Sequence, residues 1–347
     1  MSTHYVPVQW NRQKWLYDLS LWAGILAFLA VFLGAGFALN PAADETTLLI
    51  RASGITALVL LHLALCIGPL ARLDARFLPL LYNRRHLGVS TFLLALSHAA
   101  LVIFQYHLGG DRNALLSVLS SNTHIDTISR FPFELFGVAA LMILFAMAAT
   151  SHDFWLKNLT PPIWKALHMS VYLAYALLVL HLGLGVLQQE QSPLLAGLLG
   201  LGMATVLGLQ LWSGWHARTL DREVPANAAG YVELGRGDAI PDGRAIIATV
   251  AGERIAVFRD GQRICALSSV CRHQNGPLGE GRVVKGLVTC PWHGYQYRLE
   301  DGQSPPPFTE RVPTFRVKLV AGQIWVDPRP NAPGTYTEPA TIVNDPP

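Results

Sequence analysis

The chain has 347 residues, 51% hydrophobic and 14% charged, with a net charge of +3 and a mean hydropathy of +0.33. Soluble domains carry about 25% charged residues, and the deficit here is local. Residues 1–216 hold 20 of the 49 Asp, Glu, Lys and Arg, and residues 217–347 hold the other 29. The split excludes a single soluble enzyme, a disordered chain and a disulfide scaffold, and the small net charge with no basic run excludes a nucleic-acid partner.

A short cytoplasmic segment, residues 1–19, precedes six stretches long enough to cross a bilayer. These are Ser20–Leu39, Ala52–Leu70, Leu87–Phe104, Phe131–Thr150, Ala166–Leu187 and Pro193–Trp215, in which Glu134 is the only charged residue. About 20 apolar residues are needed for each crossing. The first apolar run exceeds a signal-peptide core and follows Trp10 and Trp15, so it reads as a retained helix. Arg12, Lys14, Arg72, Arg76, Arg84, Arg85, Lys157, Lys165, Arg218 and Arg222 flank one side, against Arg51, Arg112 and Arg130 on the other. The richer side is the cytoplasmic one. Trp155, Trp164, Trp212 and Trp215 form an aromatic belt there. This places a multi-pass protein in the inner membrane, with its N-terminus and residues 217–347 in the cytoplasm. The segment from Gln105 to Arg130 has no periodicity and sits where it would cap a site on the opposite face.

Four histidines fall within spans: His62, His98, His168 and His181; His86 stands at the entrance of the third. An ionisable group in lipid is costly and faces a partner or a site. One such histidine alone reads as a neutral imidazole bonded to a neighbouring helix, whereas four with almost no carboxylates point to haem, whose iron takes neutral imidazoles from facing helices. His168 and His181 are 13 residues apart, roughly 20 Å along a helix, a separation that suits two stacked haems. Their azimuths on an ideal helix do not coincide, so a second haem requires a distorted helix or ligands reached from different faces, and one haem is the simpler expectation.

The run Asn83-Arg84-Arg85-His86-Leu87-Gly88, His98, and Trp164-Lys165-Ala166-Leu167-His168 followed by His181 resemble the ferric reductase-like transmembrane domain. Within it they resemble the haem-binding membrane subunit of the bacterial methionine sulfoxide reductase system. The resemblance covers roughly residues 15–215 and implies b-haem ligation by His98, His168 and His181. Arg84 stands where the related NADPH oxidases carry the fourth ligand. His62 or His86 is then the substitute, with His62 favoured by depth. Arg84 and Arg85 suit haem propionates or serve as interfacial anchors.

Residues 216–228 read as a linker, residues 229–328 as a small all-β domain and residues 329–347 as a loose tail rich in Pro and Thr. Strands are predicted at 245–250, 255–258 and 315–320, with turns at Asp242-Gly243, Asp260-Gly261, Asp301-Gly302 and Ala321-Gly322. Two loops carry chemistry: Cys271-Arg272-His273-Gln274-Asn275-Gly276-Pro277-Leu278 and Cys290-Pro291-Trp292-His293-Gly294-Tyr295. The donor set of two Cys and two His permits structural zinc. Each loop, however, supplies one of each, the arrangement that a Rieske [2Fe–2S] cluster takes, with Cys271 and Cys290 on one iron and His273 and His293 on the other. The flanking Gly-Pro-Leu and Pro-Trp-His-Gly-Tyr resemble Rieske ferredoxin-type domains. Neither loop has the additional cysteine of the respiratory type, and Tyr295 replaces its serine; the resemblance therefore implies a low-potential centre. Cys66 and Cys265 read as buried apolar residues.

No nucleotide-binding motif follows the last span, where the oxidase relatives have one. Fewer than 60 residues follow His293 and none is histidine, which excludes a Rieske oxygenase with its separate iron site. The expected function is electron transfer from a cytoplasmic donor of the ferredoxin or flavin reductase type, through the cluster and haem, to a periplasmic partner or quinone. The alternatives are a quinol-linked cytochrome that reduces a cytoplasmic partner, and a non-catalytic redox sensor.

Overall fold

The structure is a computed structural model. It describes residues 12–342 except 123, 124, 126, 129, 130, 152–154, 156–158, 160, 190–192, 221, 222, 228, 229, 274, 293 and 307. His293, Gln274, Arg130, Lys157 and Arg222, and the N-terminal Trp10, lie outside the described residues. Two compact units emerge: residues 1–69 with 83–209, and residues 70–82 with 210–347.

The first unit is helical. Its longer helices are α1 (Arg12–Leu39), α2 (Glu45–Leu73), α3 (Arg84–Tyr106), α4 (Glu134–Ala149), α5 (Pro161–Met169), α6 (Val171–Leu184) and α7 (Pro193–Leu220), with the last residues of α2 and α7 falling in the second unit. Among the described residues five stretches are long and apolar enough to cross a membrane: Lys14–Leu39, Glu45–Leu73, Arg84–Tyr106, Ile163–Gln189 and Pro193–Arg218. The fourth expected span is shorter than Phe131–Thr150. α4 has 16 residues, about 24 Å of helix against a hydrocarbon core of about 30 Å. Pro132 offers no N–H and holds its predecessor extended, so the helix starts after it. Thr150 closes the other end, its hydroxyl donating to Ala146 O at 2.7 Å.

The fifth span is not one continuous helix. Between α5 and α6, Ser170 N–H bonds Leu167 O, three residues back, at 3.2 Å. This tightened turn lies between His168 and His181, so the two are not on one continuous helix. α6 is the shared packing element. Ala174 packs with Ala140 and Leu144 of α4 against Phe92 and Ala95 of α3. Tyr175, on its other side, packs with Leu61 and Leu65 of α2 and Val206 of α7. Large apolar side chains stay outside these contacts, Val31 at 72% and Leu39 at 88% exposure, a distribution that suits a lipid solvent.

The second unit is built on eleven strands among the described residues. They are β1 (Val232–Arg236), β2 (Ala245–Val250), β3 (Glu253–Asp260), β4 (Arg263–Ser268), β5 (Arg282–Val284), β6 (Leu287–Thr289), β7 (Gln296–Arg298), β8 (Thr314–Phe315), β9 (Val317–Val320), β10 (Gln323–Val326) and β11 (Ala340–Thr341). The sheets run β1-β10-β9, β11-β4-β3-β2 with β8 also on β4, and β5-β6-β7. β3 and β4 are buried on both faces, and strand alternation sends their side chains to two cores. Ala256, Phe258, Cys265 and Leu267 enter one with Cys271 and Cys290; Ile255, Val257, Ile264 and Ala266 enter the other with Phe315 and Ile324.

Three expectations change here. The single strand at 315–320 is two: β8 pairs with β4, Arg316 turns the chain, and β9 pairs with β10. The tail is not loose through residue 342. Thr314 binds it, accepting from Asn331 Nδ2 at 3.0 Å and Thr337 Oγ1 at 2.7 Å and donating to Thr335 O at 2.9 Å, and β11 adds to the edge of β4. The expected linker is helical to Leu220, and Val224 N–H then bonds Thr249 O at 3.0 Å.

Candidate functional site

The two cysteine loops have the same backbone construction. Cys271 N–H donates to Gly276 O at 2.9 Å and Asn275 N–H to Cys271 O at 2.7 Å; Cys290 N–H donates to Tyr295 O at 2.7 Å and Gly294 N–H to Cys290 O at 3.0 Å. In both, the fourth residue after the cysteine is left-handed, Asn275 at φ +57 and Gly294 at φ +74. Only Gly and Asn take that conformation readily. The first loop runs from β4 towards β5, the second joins β6 to β7, and both cysteines enter the same core.

Cys271 and Cys290 are each 1% exposed and neither is in a disulfide. Gly276 is the close approach: a Cβ there would lie 2.6 Å from Cys290 Sγ. His273 has a buried Nδ1, and its ring stacks on Tyr295 with centroids 3.8 Å apart and planes 11° from parallel. Two buried thiols and an oriented imidazole on twin loops fit a [2Fe–2S] cluster. His293, which the spacing alone marks as the fourth donor, lies outside the described residues, among which no three His, Cys, Asp or Glu converge as a metal site.

Sequence reasoning missed Tyr297. Its hydroxyl is 3.3 Å from Cys271 Sγ. Burial, reinforced by the neighbouring Cys271, pushes that hydroxyl above its usual range, so it keeps its proton beside the Cys271 sulfur. One side-chain hydroxyl therefore faces a cysteine sulfur, where Tyr295 alone suggested none. Its signal was alternation: two residues beyond Tyr295, it points inward from β7. Cys265 matches its expected role, with burial pushing its thiol up to about 12.

In the helical unit the histidines divide by how their nitrogens are used. His98 Nδ1 faces Ile50 O of α2 at 2.9 Å, and His181 Nδ1 faces Phe133 O at the start of α4 at 3.0 Å. Opposite a carbonyl, Nδ1 must donate, so the lone pair of each ring is on Nε2. That is the tautomer a haem iron needs. His98 and His181 are also within electrostatic range of each other. These residues fit b-type haem. His168 has the same tautomer by another route: Nδ1 donates to Trp164 O of its own helix at 3.0 Å, the ring stacks on Trp164 at 3.8 Å, Arg84 is within electrostatic range, and Ser151 Oγ stands at the longer distance of 3.5 Å from Nε2.

His62 has a different role. Its Nδ1 donates to Leu58 O at 2.8 Å and its Nε2 accepts from Tyr175 Oη at 3.0 Å, so the lone pair a haem would use is already bonded. Depth alone favoured it, and across the α2–α6 contact Tyr175 occupies the nitrogen a haem would take. His86 Nδ1 meets Asp18 Oδ1 at 2.7 Å, joining α3 to α1. Glu134 accepts from Asn122 Nδ2 and lies within electrostatic range of His181.

Two family models match the chain: the ferric reductase like transmembrane component over residues 53–179 and the Rieske [2Fe-2S] domain over residues 230–316. The chain is 31% identical over 201 residues to the protein-methionine-sulfoxide reductase heme-binding subunit MsrQ of Caulobacter vibrioides, covering 57% of this chain and 86% of that one. It is 38% identical over 82 residues to the anthranilate 1,2-dioxygenase ferredoxin subunit of Burkholderia cepacia, covering 23% of this chain and 76% of that one. A match to the probable 3-ketosteroid-9-alpha-monooxygenase oxygenase component of Rhodococcus rhodochrous, 31% identical, covers 34% of this chain and only 32% of that protein. Among solved structures, the ferredoxin of carbazole 1,9a-dioxygenase from Nocardioides aromaticivorans matches 28% of this chain and 98% of its own, at 24% identity and a TM-score of 0.28. The Rieske match decides between the two metals that the donor set alone permits, since that domain implies a [2Fe–2S] cluster. A membrane electron-transfer protein with two redox modules results, and the chain belongs to the MsrQ family of heme-binding subunits, with a Rieske domain following the membrane helices.

Proposed function

We propose that the chain moves electrons from a cytoplasmic donor, through a Rieske cluster and b-type haem, to a periplasmic partner or quinone at the other face of the inner membrane. Cys271, Cys290, His273 and His293 are the cluster ligands, and His98, His181 and His168 the haem ligands. The carrying observation is the matched state of His98 and His181, each donating through Nδ1 to a neighbouring helix's carbonyl and so keeping Nε2 for iron. Bound there, both groups supply one-electron couples. The protein's part is to hold the ligands in one tautomer and exclude water: the thiols by the core of β3, β4 and β6, the imidazoles by helix contacts. The excess of Lys and Arg on one flank supports the orientation, with the Rieske domain, residues 229–328, on the donor side and residues 20–215 in the bilayer.

The test begins with iron, sulfide and pyridine haemochrome counts on the purified full chain. Two non-haem irons, two sulfides and one or two haems per chain are expected. Chemically reduced ferredoxin or flavin reductase is then compared with quinol as the first reductant of the Rieske EPR signal. Entry from the soluble donor supports the proposed direction, entry from quinol reverses it, and absence of a Soret band refutes both.

A further inference from the structure

The seats of His98 and His181 share more than a carbonyl. Four residues after Ile50, one helical turn along α2, stands Gly54; four after Phe133, along α4, stands Gly137. A Cβ at Gly54 would lie 2.9 Å from Nδ1 and 3.1 Å from Cε1 of His98, and one at Gly137 would lie 2.9 Å from both Nδ1 and Cε1 of His181. Each imidazole thus lies on bare backbone of the neighbouring helix, and the carbonyl one turn earlier receives its Nδ1–H. The two seats are on different helices, α2 and α4, yet repeat the spacing of acceptor and glycine. Small residues are not needed throughout these helices: Cβ atoms at Gly34, Gly88, Gly183 and Gly208 would meet nothing within 4 Å.

We propose that Gly54 and Gly137 are positioning residues for the haem, each setting the depth and tautomer of the axial histidine it carries. This rests on the assignment of His98 and His181 as ligands. A methyl group at either glycine enters the space of the imidazole and pushes the ring off its carbonyl. The Nδ1–H bond is lost, and with it the force that turns Nε2 to the iron. His62 supplies an internal comparison. A Cβ at Gly202 of α7 would lie 2.4 Å from its Nε2, so that glycine is at least as crowded, but the nitrogen it touches is bonded to Tyr175 Oη. Crowding at Gly202 disturbs helix packing and leaves both haem seats alone.

The experiment compares Gly54→Ala, Gly137→Ala, Gly202→Ala and Gly208→Ala in the full chain, with His98→Ala and His181→Ala alongside. The readout is the ratio of haem to [2Fe–2S] cluster after challenge with excess apomyoglobin, together with the low-spin haem EPR signal. Loss of folded chain lowers haem and cluster together and leaves the ratio unchanged. Loss of a supporting contact to a metal ligand weakens metal retention by about 10–100-fold, so Gly54→Ala and Gly137→Ala lose haem that much faster and shift its EPR signal. Gly202→Ala and Gly208→Ala keep the unsubstituted ratio. If His98→Ala and His181→Ala retain full haem, the ligand assignment itself falls. If they lose haem while Gly54→Ala and Gly137→Ala keep the original ratio and signal, or if Gly202→Ala lowers the ratio as much as they do, the positioning role is overturned and the ligand assignment stands.

Discussion

Tyr297→Phe removes one oxygen atom from a fully buried side chain and nothing else. In the intact chain that oxygen is 3.3 Å from Cys271 Sγ, inside the core that holds both cluster cysteines. Hydrogen bonds to charged groups contribute about 1.5–3 kcal/mol. With a cluster held by Cys271, the reduced form would carry one more negative charge, and a hydroxyl facing that sulfur would stabilise it more than the oxidised form. If about 1 kcal/mol of the bond is this difference, a one-electron couple moves by about 42 mV, since tenfold in equilibrium is about 1.4 kcal/mol or 59 mV. The substitution therefore lowers the Rieske potential by roughly 40–60 mV. An EPR-monitored redox titration of the full chain, with cluster content checked by iron and sulfide, measures it. An unchanged or raised potential in a variant with full cluster content would refute the role given to Tyr297. The same titration places the centre on an absolute scale: with one hydroxyl near the sulfurs, the low-potential expectation stands as a proposal, and a value in the positive, respiratory range removes it.

Other substitutions read other parts of the molecule. Gly276→Ala puts a methyl group where Cys290 Sγ stands, 2.6 Å away, and should abolish the Rieske EPR signal while haem absorbance persists. Tyr175→Phe leaves His62 Nε2 without its donor; thermal unfolding in detergent should show a loss of about 1–3 kcal/mol, with haem content unchanged. Thr314→Val cuts three hydrogen bonds to the 331–337 segment and should speed proteolysis after residue 328. Glu280 has its pKa raised above the ordinary 4.5, chiefly by burial and against the opposing pull of Arg72, Arg254 and Arg244. The folded state then binds the proton more tightly than the unfolded one, so this group's contribution is full below the ordinary value and falls as pH rises through the folded one. Melting curves from pH 4 upward should flatten over that window in Glu280→Gln, and an unchanged slope would remove Glu280 as the cause.

What could be read in the sequence was whatever a residue type or a period announces. Long apolar runs announced helices, and Cys271, His273, Cys290 and His293 announced a cluster, because few residue types bind iron and their spacing is informative. The short apolar run over 245–250 marked β2 with its observed limits. What escaped depends on partners far along the chain. Phe315 and Val317 belong to different sheets because β4 and β10 compete for one run, and periodicity carries no sign of that competition. The tail appeared loose because its Pro and Thr residues have no period, yet its order comes from the hydroxyl of Thr314 and the open edge of β4. His62 and His98 looked alike as histidines within apolar spans. Tyr175, 113 residues away from one of them, separates their roles.

Both redox sites are made by repetition, and the repetition lies in the backbone. The cluster loops share two backbone hydrogen bonds and a left-handed residue at the same offset, although one holds Asn275 and the other Gly294 there. The histidine seats share a carbonyl and a glycine one turn apart, although one is on α2 and the other on α4. A one-electron centre gains from this kind of support. Its ligands must change little between oxidation states, and ligands held by backbone groups of packed elements lose less order than ligands held by long side chains. The side chains proposed to bind iron are therefore only half of each site. The other half is carbonyl and N–H groups, which every residue carries and no motif distinguishes. Substituting the supporting residues, rather than the ligands, is the direct way to separate holding a cofactor from touching it.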